Sequence, residues 1–228
     1  MNSPLVTVMV PSRGRVQLLE RSLLSLRSMA KDPSRVQVVA RVDADDRATV
    51  EFVNTRKDLV SNVITAPRGR GYADLHLMYN DMCKLAQGRF LFLWNDDATL
   101  VSHDWDEDLA RFDDGKICYI NSNLNDGRGR DVYLFPIVHR SWYDTTGHFS
   151  MSPHNDTYVY NAFCGFPQLF RHSGITIRHD ALQLLHDTTS REAQQWWPTT
   201  KSGWNSPEVQ NALATDIAKL RELVKQHG

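Results

Sequence analysis

Over its first hundred residues the chain switches repeatedly between two hydrophobic periods, and this alternation restricts the possible folds more than any other feature. Short, mostly apolar runs stand at Leu5–Val10, Val36–Val42, Asn62–Thr65 and Phe90–Trp94. Bounded runs of this length read as buried strands. Between the first two, Val16, Leu19, Leu23 and Leu26 recur at helical spacing. Between the last two, Leu75, Met78, Tyr79, Met82 and Leu85 do the same. Strand, helix and strand at this spacing make βαβ units, which build a mostly parallel sheet through right-handed crossovers. The expected class is α/β with a Rossmann-like sheet.

Beyond Leu100 the pattern loosens. Ile117–Ile120 and Val132–Val138 read as strands around a polar loop at 121–131, and 150–155 and 188–205 read as further loops. The chain closes on a well-signalled helix. Ser206 is placed to cap it, Pro207 takes its first position, and Val209, Leu213, Ile217, Leu220 and Val224 form its apolar stripe. A length of 228 residues with no internal repeat suits one large domain or two small lobes sharing a core.

Composition narrows the function classes. Lys plus Arg number 26 against 27 Asp plus Glu, for a formal charge of −1, which excludes a polycationic nucleic-acid coat but not a local basic patch. The three cysteines, Cys83, Cys118 and Cys164, are far apart and form no CxxC pair. That argues against a disulfide framework or a thiolate zinc site and for a reducing compartment. The run Phe90–Trp94 is too short to span a bilayer, and Met1-Asn2-Ser3-Pro4 lacks the basic start of a signal peptide. A cytoplasmic protein with no membrane partner is expected.

In a parallel α/β sheet, ligands bind beyond the carboxyl ends of the strands. Here the first strand runs into Pro11-Ser12-Arg13-Gly14-Arg15, the second into Asp43-Ala44-Asp45-Asp46 and the fourth into Asn95-Asp96-Asp97. Two acidic clusters at one edge repel unless a cation or polar ligand lies between them. Adjacent carboxylates suit Mg²⁺ or Mn²⁺, with positions left open for phosphate oxygens. Asp45 or Asp46 can equally cap the helix that starts near Arg47.

These residues resemble the glycosyltransferases of the GT-A fold, in particular the inverting family-2 group. The opening 6–15 is similar to that family's first strand and loop, and Arg41-Val42-Asp43-Ala44-Asp45-Asp46 stands where such enzymes bind uracil and ribose. Gly69-Arg70-Gly71, Asn80, Gly88 and Phe90–Trp94 resemble the segment leading to the metal motif, and Asn95-Asp96-Asp97 stands at the DxD-type signature. The likeness spans residues 5 to 180. It departs from the family at Asn95, where an aspartate is common, but keeps the metal-binding aspartate at Asp97.

The resemblance implies a UDP-sugar donor and an Mn²⁺ or Mg²⁺ ion. Pro11, Ser12, Arg13, Arg15, Asp43, Arg68, Arg70, Asn80 and Asp96 would contact the donor, and Asp97 and His179 would hold the metal. His172 and His186 are rivals to His179, and Asn80 is either a donor contact or a surface residue. In the acidic motif His154-Asn155-Asp156-Thr157, the resemblance makes Asp156 the base that deprotonates the acceptor hydroxyl. It divides one GT-A domain into a nucleotide-sugar half at 1–99, an acceptor half at 100–190 and a C-terminal loop and helix at 191–228.

For the acceptor, the compact form is similar to small bacteriophage-type enzymes, some of which glycosylate hydroxymethylated pyrimidines in DNA. Arg128 and Arg130, His139-Arg140 with Trp142 and Tyr143, and Trp196 with Trp197 would supply phosphate contacts and stacking surfaces. A soluble saccharide or a protein hydroxyl is the alternative acceptor. A sugar-phosphate nucleotidyltransferase is the rival class, but Pro11-Ser12-Arg13-Gly14-Arg15 does not match its Gly-x-Gly-Thr-Arg loop.

Overall fold

A computed structural model describes residues 3–124, 134–180, 195 and 203–227. The apolar runs form four parallel strands, β1 (Val6–Ser12), β2 (Val36–Asp43), β3 (Asn62–Ala66) and β4 (Phe90–Leu93). Four more follow: β5 (Ala98–Leu100), β6 (Tyr119–Leu124), β7 (Ile137–His139) and β8 (Phe170–His179). All eight join one sheet in the order β3-β2-β1-β4-β7-β6-β8-β5. Pairing is parallel across β3-β2-β1-β4 and between β6 and β8, and antiparallel at β4-β7, β7-β6 and β8-β5.

Side-chain alternation along the strands loads both faces. Val6, Val8 and Val10 of β1, with Phe90 and Phe92 of β4, pack against α1 (Val16–Ser28), α2 (Arg47–Thr55) and α4 (Trp105–Ala110) through Leu19, Leu23, Leu26, Val53 and Trp105. On the other face Met9, Leu91 and Leu93 meet α3 (Leu75–Cys83), α5 (Ser141–Thr146) and α6 (Asn155–Phe163). The C-terminal helix α7 (Pro207–His227) closes that face with Val209, Leu213 and Leu220. Its cap is the expected one, with Ser206 Oγ accepting from Val209 N at 3.3 Å.

The α/β class and the parallel half stand as read from the sequence. The later elements differ. The strand expected at 117–120 runs on through Leu124 into the segment read as a loop. Of the strand expected at 132–138, only 137–138 pair, and 132–133 lie outside the described residues. Segment 155–163, which opens on Asn155 at the end of the expected loop and on the acidic motif, is helix α6. Leu85 falls beyond α3 and is exposed. No helix among the described residues is long and apolar enough to cross a membrane.

One glycine is required by close approach. A Cβ on Gly88 would sit 2.8 Å from Val6 Cα, and closer still to Val6 C and Thr7 N, so backbone rather than a yielding side chain would have to move. Gly88→Ala is therefore expected to destabilise the chain by about 3 kcal/mol or more. Urea denaturation checks this, and a midpoint within error of wild type would refute it.

Candidate active site

The carboxyl ends of β1, β2 and β4 meet at one edge because these strands are parallel. The loop after β1 turns there at Gly14, whose φ of 67° favours glycine. Its N–H donates to Asp46 Oδ2 at 2.6 Å, and Asp46 Oδ1 accepts from Thr49 N at 3.3 Å. Asp46 is thus the cap of α2, which settles the open alternative for that residue. Arg13 forks onto Asp45 and reaches Asp43 Oδ2 at 3.4 Å, while Arg41 Nη1 donates to Asp43 Oδ1 at 2.8 Å. The Arg13 hydrogen bond holds Asp45 below the usual carboxylate range.

The two carboxylates after β4 have separate partners. Asp96 accepts from Ser12 Oγ at 2.7 Å and from Arg15 Nη1 at 3.2 Å, with Pro11 leading into the same loop. Asp97 faces His179 Nε2 at 3.1 Å, with Arg15 Nη1 at 3.9 Å. Burial, with the Asp97 charge beside it, pushes Asp96 up to about 6 against the pull of Arg15 and Ser12. Burial also works on Asp97, but the hydrogen bond and charge of His179, with Arg15, outweigh it and leave that carboxyl below its ordinary value.

His179 arrives by strand register. The β5–β8 pairing sets Ala98 opposite His179, and Asp180 N donates to Asp97 O at 3.1 Å. The imidazole stands edge-on to Phe135, with ring centres 5.1 Å apart. His172, at the other end of β8 and paired with Asn121, cannot share an ion with Asp97, and His186 lies outside the described residues.

Asp156 stands in the first turn of α6. Its Oδ1 accepts from Thr157 N at 2.7 Å and from Thr157 Oγ1 at 3.3 Å, and among the described residues Oδ2 has no hydrogen-bond partner. Burial raises its pKa above the ordinary value, against the pull of Thr157 and His154. Tyr79 is the group on which three of these carboxylates act together. Its hydroxyl donates to Trp94 O at 2.8 Å, and burial plus the charges of Asp156, Asp96 and Asp97 hold the phenol protonated. His154, next to Asp156, stands edge-on to Trp204, with ring centres 6.2 Å apart.

Several expected donor contacts have other partners here. The Asn80 amide is taken up by a loop: Nδ2 donates to Ser150 O at 2.8 Å, and Oδ1 accepts from Phe149 N at 2.8 Å and Ser150 N at 3.1 Å. It holds the segment that leads to Asp156, which is neither of its expected roles. Arg70 is exposed and bonded to Asp74, while Arg68, also exposed, acts electrostatically on Asp45.

The residues expected to meet DNA also differ. Because β7 runs antiparallel to β4, its end at His139 lies opposite Phe90, at the far edge of the sheet. His139 and Arg140 line a cleft of about 1000 Å³ there with Arg35 and Arg89. Trp142 is fully buried, its indole N–H donating to Phe149 O at 3.0 Å, so it presents no stacking surface. Tyr143 lies under the Arg140 guanidinium, 5.9 Å from it. Arg128, Arg130, Trp196 and Trp197 lie outside the described residues.

Among the described residues no group of three or more His, Cys, Asp or Glu side chains is placed to hold a metal ion. Asp97 and His179 set one carboxylate and one imidazole 3.1 Å apart, both largely buried. Such a pair fits a divalent ion whose remaining positions are filled by phosphate oxygens and water.

No family model matches the sequence, and no curated protein is significantly similar to it. Solved structures do match. The S. aureus protein TarS superimposes with a TM-score of 0.59 at 14% identity over 89% of this chain and 44% of its own. The chain thus spans under half the length of TarS. The 1–349 portion of TarS in complex with UDP-GlcNAc gives a TM-score of 0.57 at 13% identity, over 92% of this chain and 79% of its own. Mannosyltransferase PcManGT from Pyrobaculum calidifontis, in complex with GDP-Man and Mn²⁺, gives 0.60 at 15% identity, over 99% and 76%. The chain has the GT-A fold of these proteins.

Two outcomes follow from the side-chain partners. Asn80→Ala breaks three hydrogen bonds to the 149–150 loop. It is expected to cost about 2–4 kcal/mol in chemical denaturation, while nucleotide affinity changes less than about twofold. A normal midpoint with lost nucleotide binding would instead make Asn80 a ligand contact. The second concerns Asp156. A carboxyl whose folded pKa is raised binds its proton more tightly folded than unfolded, so its charge destabilises the fold above the unfolded value. Asp156→Asn is therefore expected to raise Tm near neutral pH, the gain vanishing as pH falls below about 4. An equal or lower Tm at neutral pH would contradict this.

Proposed function

We propose that this chain is an inverting glycosyltransferase that moves a sugar from a nucleotide-sugar donor to an acceptor hydroxyl. The observation that carries the proposal is the arrangement around Tyr79. The Asp97–His179 pair and Asp96 stand at the carboxyl edge of a GT-A sheet, and Asp156, whose Oδ2 has no hydrogen-bond partner among the described residues, acts with Asp96 and Asp97 on the same buried phenol. The matched structures that hold UDP-GlcNAc, or GDP-Man with Mn²⁺, support a donor of this class.

The roles divide by charge. Asp43 with Arg13 and Arg41 would take the nucleoside end of the donor, and UDP is the expected nucleotide. Asp97 and His179 would hold the cation, and an imidazole ligand favours Mn²⁺ over Mg²⁺, which prefers an all-oxygen shell. When bound, that ion supplies positive charge to the departing diphosphate. Arg15, already beside Asp96 and Asp97, would add a fixed charge to the same oxygens. Asp156 Oδ2 would take the acceptor proton as the hydroxyl attacks the anomeric carbon on the face opposite the diphosphate, which inverts the centre. Its raised pKa suits a base, since proton affinity rises with burial.

For the acceptor we propose a hydroxymethylated pyrimidine in DNA, the reading supported by Arg128 and Arg130 in the polar sequence stretch 121–131. A saccharide hydroxyl is the second reading. It is favoured by the placement of His139, Arg140 and the buried Trp142 away from the carboxylates, and by Trp204, which stands edge-on to His154, two residues from Asp156.

The test is nucleotide release from UDP-glucose, UDP-GlcNAc and GDP-mannose with Mn²⁺. The acceptor arms are hydroxymethylcytosine DNA, unmodified DNA, simple saccharides and none. Release is expected to fall at least about 100-fold in Asp156→Asn, with UDP affinity retained. Stimulation by modified DNA alone selects the first acceptor, and stimulation by saccharide the second. No binding of any nucleotide sugar with Mn²⁺, or pyrophosphate release from a nucleoside triphosphate plus sugar phosphate, would overturn the glycosyltransferase reading.

A further inference from the structure

The reaction outlined above leaves one buried carboxylate at this edge unused. Asp180 directly follows His179 and is 6% exposed. An ionised carboxylate in such a place costs several kcal/mol unless partnered. Its partner is Arg21, on the second turn of α1, whose Nη2 donates to Asp180 Oδ2; Arg178 Nε approaches Oδ1 at 3.5 Å. Its own N–H donates to Asp97 O at 3.1 Å. Asp180 therefore binds backbone on the Asp97 side and side chain on the helix side, one peptide unit from the imidazole that faces Asp97.

α1 is the other half of the argument. It follows directly from the loop in which Ser12 and Arg15 hold Asp96. Through Arg21 the same helix holds the end of β8. One rigid element thus carries Arg15, which holds Asp96, at its N-cap and Arg21, which holds Asp180 beside His179, on its second turn.

We infer that Asp180, clamped by Arg21, is a positioning residue that presents His179 to a divalent cation shared with Asp97. The inference rests on the metal-site reading of the preceding subsection. It assigns a role to two residues that the proposed reaction leaves without one. With the clamp released, β8 keeps its backbone pairing through His179, but Asp180, the residue that follows, loses its side-chain anchor to α1. Removal of groups that orient a metal ligand commonly costs 10–100-fold in metal affinity.

The experiment is an Mn²⁺ titration of the full chain in the presence of UDP, followed by the loss of the free-ion electron paramagnetic resonance signal. Wild type, His179→Ala, Asp180→Asn, Arg21→Gln and the double variant His179→Ala/Asp180→Asn are compared. Arg21 has a 41% exposed side chain, so its substitution keeps the test usable if Asp180→Asn fails to fold. Asp180→Asn and Arg21→Gln are each expected to weaken Mn²⁺ binding about 10-fold. The double variant is expected to bind no more weakly than His179→Ala alone, and metal-free UDP binding should be unchanged throughout.

If His179→Ala weakens binding while Arg21→Gln and Asp180→Asn stay within about twofold of wild type, the positioning role is overturned and the metal site stands. If Asp180→Asn still costs about 10-fold in the His179→Ala background, the effect does not pass through His179 and the inference fails. If His179→Ala itself changes nothing, the metal reading fails, and this inference with it.

Discussion

Asp43, Asp96 and Asp97 follow parallel strands to one sheet edge, Asp156 acts on the same Tyr79 phenol as Asp96 and Asp97, and the rest of the site is arranged around the burial of these carboxylates. In a largely buried setting like charges cannot stand near one another unpaired. Each is met by a different group: Arg41 and Arg13 at Asp43, Ser12 and Arg15 at Asp96, His179 at Asp97, and Thr157 at Asp156. Compensation is incomplete at Asp96, which burial pushes up to about 6, and at Asp156, which burial also raises. A molecule carrying positive charge or protons to give, bound at this edge, would relieve what the protein leaves unbalanced.

The two groups of carboxylates are positioned by different means. Asp43 and Asp96 stand with Ser12 at strand ends whose direction is set by parallel pairing, so they converge without special packing. The other group rests on helices of the second core. Asp156 is carried by α6, whose Tyr158, Val159, Ala162 and Phe163 are buried beneath it. Asn80 on α3 holds the loop that leads into this helix, and Tyr158 bonds to the buried Asp216 of α7 at 2.6 Å. The C-terminal helix therefore supports the candidate base from behind.

What the sequence disclosed follows from how each element is buried. Strands β1, β2 and β4 are covered on both faces, so they read as continuous apolar runs, and the residues just after them were placed correctly at one edge. Strand β5 has only the three residues Ala98–Leu100, too few to show a period. The helix α6 opens on Asn155 and Asp156 and so looked like the loop before it. His139, Arg140 and Trp142 looked like acceptor contacts because they are close in sequence. Which end of a strand faces the site depends on strand direction, and the antiparallel turn of β7 sends them to the far edge. Asn80 lies off the apolar stripe of its helix, but its partners are backbone groups that no side-chain pattern records. Arg21 and Asp180 are distant in sequence, and only the β5–β8 register and the packing of α1 bring them together.

The central claim is that Asp97 and His179 jointly hold a divalent ion at the donor's diphosphate. A crystal of the full chain grown with Mn²⁺ and UDP, with data collected at the manganese absorption edge, tests it directly. The account predicts one anomalous peak bounded by the Asp97 carboxylate, His179 Nε2 and the UDP phosphates, with the uridine toward Asp43. UDP bound at this edge with no peak there, or a peak on other residues, would contradict it.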